Sequence, residues 1–101
     1  MVVSEQKIQS SIIKYLKAHK HYVIKVITSN SAGTPDLICC IKGMFVAFEI
    51  KASRKRSNVS ELQSHHLAKI VKNGGYAFVV TSLKEVEAIV EKLPTNYHTL
   101  R

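Results

Sequence analysis

Asp36 is the only aspartate in this 101-residue chain, and it closes the motif G-T-P-D immediately before the apolar run Leu37-Ile38-Cys39-Cys40-Ile41. Glu49 interrupts a second apolar run in F-E-I-K, and Lys51 follows two residues later. On a strand, Glu49 and Lys51 share one face roughly 7 Å apart, while Ile50 between them turns into the core. Lys42-Gly43 reads as a two-residue turn between the runs. With Ile41 paired to Met44, counting outward sets Asp36 opposite Glu49. Two carboxylates held that close repel, and each favours protonation unless a cation lies between them. Hard oxygen ligands of this kind suit Mg²⁺ or Mn²⁺, which keep several waters and take further ligands from phosphate. Such a metal would polarise a phosphate and generate hydroxide from bound water, with Lys51 holding that water or stabilising the charge that builds up. E-x-K alone equally describes a solvated strand rim with a surface ion pair. The G-T-P-D in register across the hairpin favours a site.

Glu5 lies three residues before Ile8, on the apolar stripe of a first helix. A glutamate there is equally accounted for by the positive end of the helix dipole. Gln63 shares a helical face with Leu67 and Ile70, yet with Ser60 it also completes a capping box. Arg54, Lys55 and Arg56 follow the E-x-K strand closely, where they would grip flanking phosphates of a nucleic acid. The loop Asn30 to Thr34 is placed to close over substrate. The five histidines, His19, His21, His65, His66 and His98, show no metal-ligand spacing and read as surface or helix-face residues.

These residues need a scaffold, and the hydrophobic pattern supplies one. Ser4 is a candidate N-cap with Val3 and Ile8 as a staple, opening a helix to about His19. Tyr22 to Ile27 reads as a strand, T-S-N-S-A-G-T-P as a loop, and Leu37–Ile41 with Met44–Lys51 as an antiparallel hairpin. A polar basic stretch spans Ala52 to Asn58. Ser60 opens a second helix, with Leu67, Ile70 and Val71 apolar and Asn73-Gly74-Gly75 as its stop. Tyr76 to Thr81 is a further strand, and Ser82 with Glu85 opens a third helix that runs to Pro94, beyond which the tail should fray. The strand from Met44, the helix from Ser60 and the strand at Tyr76 make a right-handed βαβ unit with parallel strands. The expectation is one α/β domain over residues 1–101, a mixed sheet of antiparallel hairpin plus βαβ crossover flanked by helices.

Composition narrows the partner. Fifteen Lys and Arg against seven Asp and Glu give a net charge of +8, which points to a polyanion, nucleic acid before an anionic membrane surface. With no Trp, base-stacking platforms are not indicated. Cys39 and Cys40 are neighbours on a strand, pointing to opposite faces, and read as small reduced core residues of a cytosolic protein. No signal-peptide pattern and no spanning run is visible, so the expected setting is the cytoplasm of a bacterium or of a virus-infected cell.

Taken together, Glu5, G-T-P-D, E-I-K, S-E-L-Q with Gln63, and the paired glycines before the last strand resemble the PD-(D/E)XK nuclease superfamily, most of all its VRR-NUC (virus-type replication-repair nuclease) branch. The resemblance runs from Glu5 to about Val80 and implies a restriction-endonuclease-like core. It implies a Mg²⁺- or Mn²⁺-dependent endonuclease in which Asp36, Glu49 and the main-chain carbonyl of Ile50 bind the metal. By the same resemblance Lys51 is catalytic, Glu5 assists at the metal or its water, and Gln63 orients the site. It further implies a homodimer that cuts branched DNA, four-way junctions included. The competing class is a basic, non-catalytic nucleic-acid-binding module of a replication or repair complex.

Overall fold

The computed structural model describes residues 3–97; His98 and the side chain of Arg54 lie outside that description. Helix α1 (Glu5–Ala18) is followed by strands β1 (Tyr22–Lys25), β2 (Leu37–Ile41) and β3 (Met44–Ile50). A 3₁₀ turn (Ser53–Lys55) leads to α2 (Glu61–Lys72), β4 (Tyr76–Val80) and α3 (Leu83–Lys92). The order and type of these elements match the pattern read from the sequence. The 3₁₀ turn within the basic stretch was not expected. β1 ends short of Ile27, although Val26 still donates to the Asp36 carbonyl at 2.9 Å.

The sheet has the order β1-β2-β3-β4, antiparallel across the first two pairs and parallel between β3 and β4. Ile41 faces Met44 and Leu37 faces Phe48, the register that two residues of turn require. Lys42 (φ 54°) and Gly43 (φ 84°) both take left-handed backbone, the conformation of a type I′ hairpin turn.

Alternation along the strands sorts side chains to two unlike faces. Leu37, Cys39, Ile41, Val46, Phe48, Ile50 and Val80 form one buried face. Ile8, Ile12 and Leu16 of α1 and Val86 and Val90 of α3 pack against it as a single core. Asp36, Phe45, Glu49 and Lys51 belong to the opposite face, where α2 lies. That helix buries none of its residues fully, and Val71, expected on its apolar face, is exposed. Cys39 is buried and Cys40 exposed, so only one of the two cysteines is a core residue. Burial pushes the Cys39 thiol up to about 12.

The segment after Pro94 is not loose as far as Tyr97. Asn96 donates its backbone N–H to the Lys42 carbonyl at 2.7 Å, across the hairpin turn. The Lys42 ammonium in turn caps the end of α3, donating to the carbonyls of Val90 at 2.7 Å and Leu93 at 3.1 Å. No sequence pattern flags this clasp, because it joins residues some fifty positions apart through main-chain atoms.

Candidate active site

The hairpin turn fixes the register, the register sets Asp36 beside Glu49, and the remaining groups arrive from the helices. Asp36 Oδ2 accepts from the Ile50 N–H at 2.7 Å, so its carboxylate is anchored to β3 rather than projecting freely. Glu49 is 2 % exposed, the one charged residue among the fully buried side chains described. Its Oε2 accepts from Gln63 Nε2 at 2.9 Å and stands 3.8 Å from the Lys51 ammonium. Its Oε1 is buried with no hydrogen-bond partner.

That orphaned oxygen is the informative feature. A buried acceptor without a donor carries a desolvation penalty of about 1–3 kcal/mol, more when charged. Burial first, and the facing Asp36 charge second, raise the Glu49 pKa from 4.5 to about 7, against the opposing pull of Lys51. The charge of Glu5 pushes the same way. Two carboxyls facing each other at a buried site favour a cation between them. The facing carboxylates of Asp36 and Glu49, one with an unpartnered buried oxygen, are a donor set that fits a hard divalent metal. Among the described residues no three His, Cys, Asp or Glu side chains converge as a metal cluster.

The two open readings of Gln63 prove compatible. Its Oε1 accepts from the Ser60 N–H at 3.0 Å, and Ser60 Oγ accepts from the Gln63 N–H at 3.1 Å, which completes the capping box. The amide nitrogen is left to hold Glu49. One side chain thus starts α2 and fixes the orientation of the buried carboxylate. Glu5 lies in the first turn of α1, where its charge complements the helix dipole, and its Oε2 accepts from the Ala52 N–H at 3.2 Å, tying the start of α1 to the segment just past Lys51. It remains close enough to Glu49 for its charge to be felt there.

Two flanks complete the site. On one, the loop before Asp36 is fastened rather than free. Ser31 Oγ and His66 Nε2 are 3.0 Å apart, and Thr34 bonds Ser29 and the Ser31 carbonyl. Gly33 (φ 84°) lies so close to α2 that a Cβ would stand 2.7 Å from the Leu62 carbonyl carbon and 2.9 Å from the Gln63 nitrogen. On the other flank Lys55 is exposed. Arg56, expected to point at phosphates, instead donates to the Val79 carbonyl at 3.2 Å, to Thr81 Oγ1 at 3.0 Å and to the Glu85 carboxylate. Glu85 departs from its expected capping role as well: Ser82 Oγ accepts from the Glu85 N–H, but the carboxylate binds Thr81, not Ser82. Sequence reasoning could not have paired Arg56 with Glu85, twenty-nine residues apart with no local signal.

An apolar cleft of about 430 Å³, lined by Phe45, His66, Lys69, Ile70, Asn73 and Gly75, lies on the α2 side of the sheet away from the carboxylates.

The sequence matches the family described as RecU, recombination protein U, over residues 1–98. No protein of curated function matches the chain. Among solved structures, one described as a VRR_NUC domain protein superposes with a TM-score of 0.74 at 20% identity, over 91% of this chain and 88% of that one. A second, described as a VRR_NUC domain, gives 0.70 at 26% identity, over 87% and 95% respectively. The mixed sheet with its flanking helices is therefore an architecture that these proteins share.

Proposed function

The chain belongs to the RecU (recombination protein U) family, and from that premise we propose that it is a metal-dependent DNA endonuclease acting on branched recombination or repair intermediates, four-way junctions among them. The observation that carries this reading is the facing pair Asp36 and Glu49, with the buried Glu49 Oε1 lacking any protein partner. The PD-(D/E)XK assignment of roles accounts for each neighbour of that pair.

In this reading Asp36, Glu49 and the Ile50 carbonyl hold Mg²⁺ or Mn²⁺. When bound, the metal supplies Lewis-acid polarisation of the scissile phosphate and a more acidic water. Lys51 orients the attacking water and offers its ammonium to the charge growing on the phosphate oxygens. Gln63 holds Glu49 in the one orientation that presents Oε1 to the site, and Glu5 fixes the backbone just beyond Lys51. Lys55, with Arg54 beside it in sequence, is assigned to the phosphates flanking the cut, a contact that sets register without reading sequence. Tyr22, Ile24 and Phe45 are 62, 45 and 47 % exposed. All three belong to the sheet face that α2 only partly covers, which supports a homodimer presenting two sites to one junction.

The test is cleavage of a labelled four-way junction beside a matched linear duplex, with Mg²⁺, Mn²⁺ or EDTA, and with Asp36→Asn as control. Metal-dependent nicks in the junction, absent from the variant, are expected. Salt-sensitive binding without cutting in any metal would instead identify a basic binding module and sink the nuclease reading.

A further inference from the structure

Arg56 carries one of the fifteen positive charges and follows the E-x-K strand by five residues, the position of a phosphate ligand. Its surroundings say otherwise. Three of its donors are engaged within the protein, on the Val79 carbonyl, Thr81 Oγ1 and Glu85. Both oxygens of Glu85 are committed to the same corner, since Oε1 accepts from the Thr81 N–H at 2.6 Å and from Thr81 Oγ1 at 2.7 Å. These bonds, together with Arg56, hold the Glu85 pKa down against the effect of its burial. β4 is an edge strand, and Val80 turns its carbonyl inward to the Lys51 N–H at 3.0 Å. The Val79 carbonyl therefore faces the free edge, where the guanidinium is its partner.

The segment between Lys51 and Arg56 is consequently pinned at both ends. Lys51 is bound through its N–H to Val80, Ala52 through its N–H to Glu5, and Arg56 through its side chain to the β4–α3 corner. The 3₁₀ turn between them is closed by Lys55 N–H to the Ala52 carbonyl at 2.8 Å. We infer that Arg56 and Glu85 form a clasp that positions Lys51 and the basic turn after it, and that Arg56 is a positioning residue rather than a DNA ligand. This rests on the nuclease reading for its effect on turnover, but the clasp itself is a property of the free protein.

Glu85→Gln separates the two roles by sign. If Arg56 binds phosphate, removing the Glu85 charge frees it and DNA binding tightens. If Arg56 is a clasp, Arg56→Gln and Glu85→Gln damage the same thing. Expected for both variants is a fall in kcat of about tenfold to a hundredfold, the effect of a misplaced group near the chemistry. KM and the affinity for junction DNA, the latter measured in EDTA, should stay within about twofold, with the salt dependence of binding unchanged. The double variant should be no worse than either single one. Amide exchange over residues 51–58 of the metal-free protein should quicken in both variants while that of β2 and β3 does not. The inference is overturned if Arg56→Gln weakens binding and lowers the salt slope by about 0.9, the loss of one phosphate contact, or if Glu85→Gln tightens binding. Should the wild-type protein cut no DNA in any metal, the nuclease reading falls, and the exchange at residues 51–58 alone decides the clasp: quickening upholds it and unchanged exchange removes it.

Discussion

At the scale of single residues, Glu49 ties stability to pH. Its pKa is raised in the folded chain from 4.5 to about 7. A raised carboxyl favours the folded state fully below the unfolded value, and that contribution is lost as pH rises through about 7. The loss amounts to about 3 kcal/mol at most, since a tenfold change in proton affinity is worth about 1.36 kcal/mol. Metal-free protein should therefore shed stability between pH 5 and pH 8 through this group. His21 pulls the other way, its pKa lowered by burial and by His19 and Lys42, so the comparison with a variant is the clean measurement. Glu49→Gln should melt close to wild type at pH 5 and above it at pH 8, by calorimetry in EDTA. Added Mg²⁺ should raise the melting temperature of the wild type at pH 8 and leave Glu49→Gln unmoved. A wild type that melts no lower than the variant at pH 8 would show that the buried carboxylate carries no strain for a metal to relieve.

At the scale of elements, two glycines with the same backbone requirement have different surroundings. Gly33 (φ 84°) is pressed against the start of α2, whereas Gly74 (φ 92°) has nothing within 4 Å of its would-be Cβ. Alanine at either site meets left-handed strain of about 1–3 kcal/mol. Only Gly33→Ala must also push back Leu62 and Gln63, and through Gln63 the carboxylate of Glu49. Both variants should melt lower, and only Gly33→Ala should lose cleavage out of proportion to its stability, measured well below its melting temperature. Equal activity in the two would mean that the loop does not set the position of α2. The same contrast explains what the sequence could tell. Asp36 opposite Glu49 was legible because one tight turn fixes every register position after it. The capping box at Ser60 was legible because its partners are three residues apart. The partners of Glu5, Arg56 and Asn96 were not, since each bond spans a long stretch of chain and uses main-chain atoms or a surface ion pair that leave no local pattern.

At the scale of the whole molecule, a net charge of +8 sits on a fold with one face sealed by α1 and α3 and the other only partly covered. No helix among the described residues is long and apolar enough to cross a membrane. Tyr22, Ile24 and Phe45 are exposed uncharged side chains on the open face, apolar surface that a second copy would cover. Sedimentation equilibrium of the wild type should show a dimer, and Phe45→Arg should shift it towards monomer without unfolding it, because the ring is already half in solvent. A wild type that stays monomeric at concentrations used for cleavage would remove the two-site geometry from the proposal.

The clasp between Asn96 and Lys42 has a consequence in time as well as in space. The turn that aligns Asp36 with Glu49 is braced by residues on either side of Pro94, and α3 completes a core that begins with α1. Contacts between such distant parts of a chain form late, after the intervening loops have closed. While the polypeptide is still emerging from the ribosome, the hairpin has its local turn but neither its brace nor its finished core. The two carboxylates are then free to part. The alignment of Asp36 with Glu49 is therefore secured only once α3 and the segment through Asn96 have folded against the hairpin.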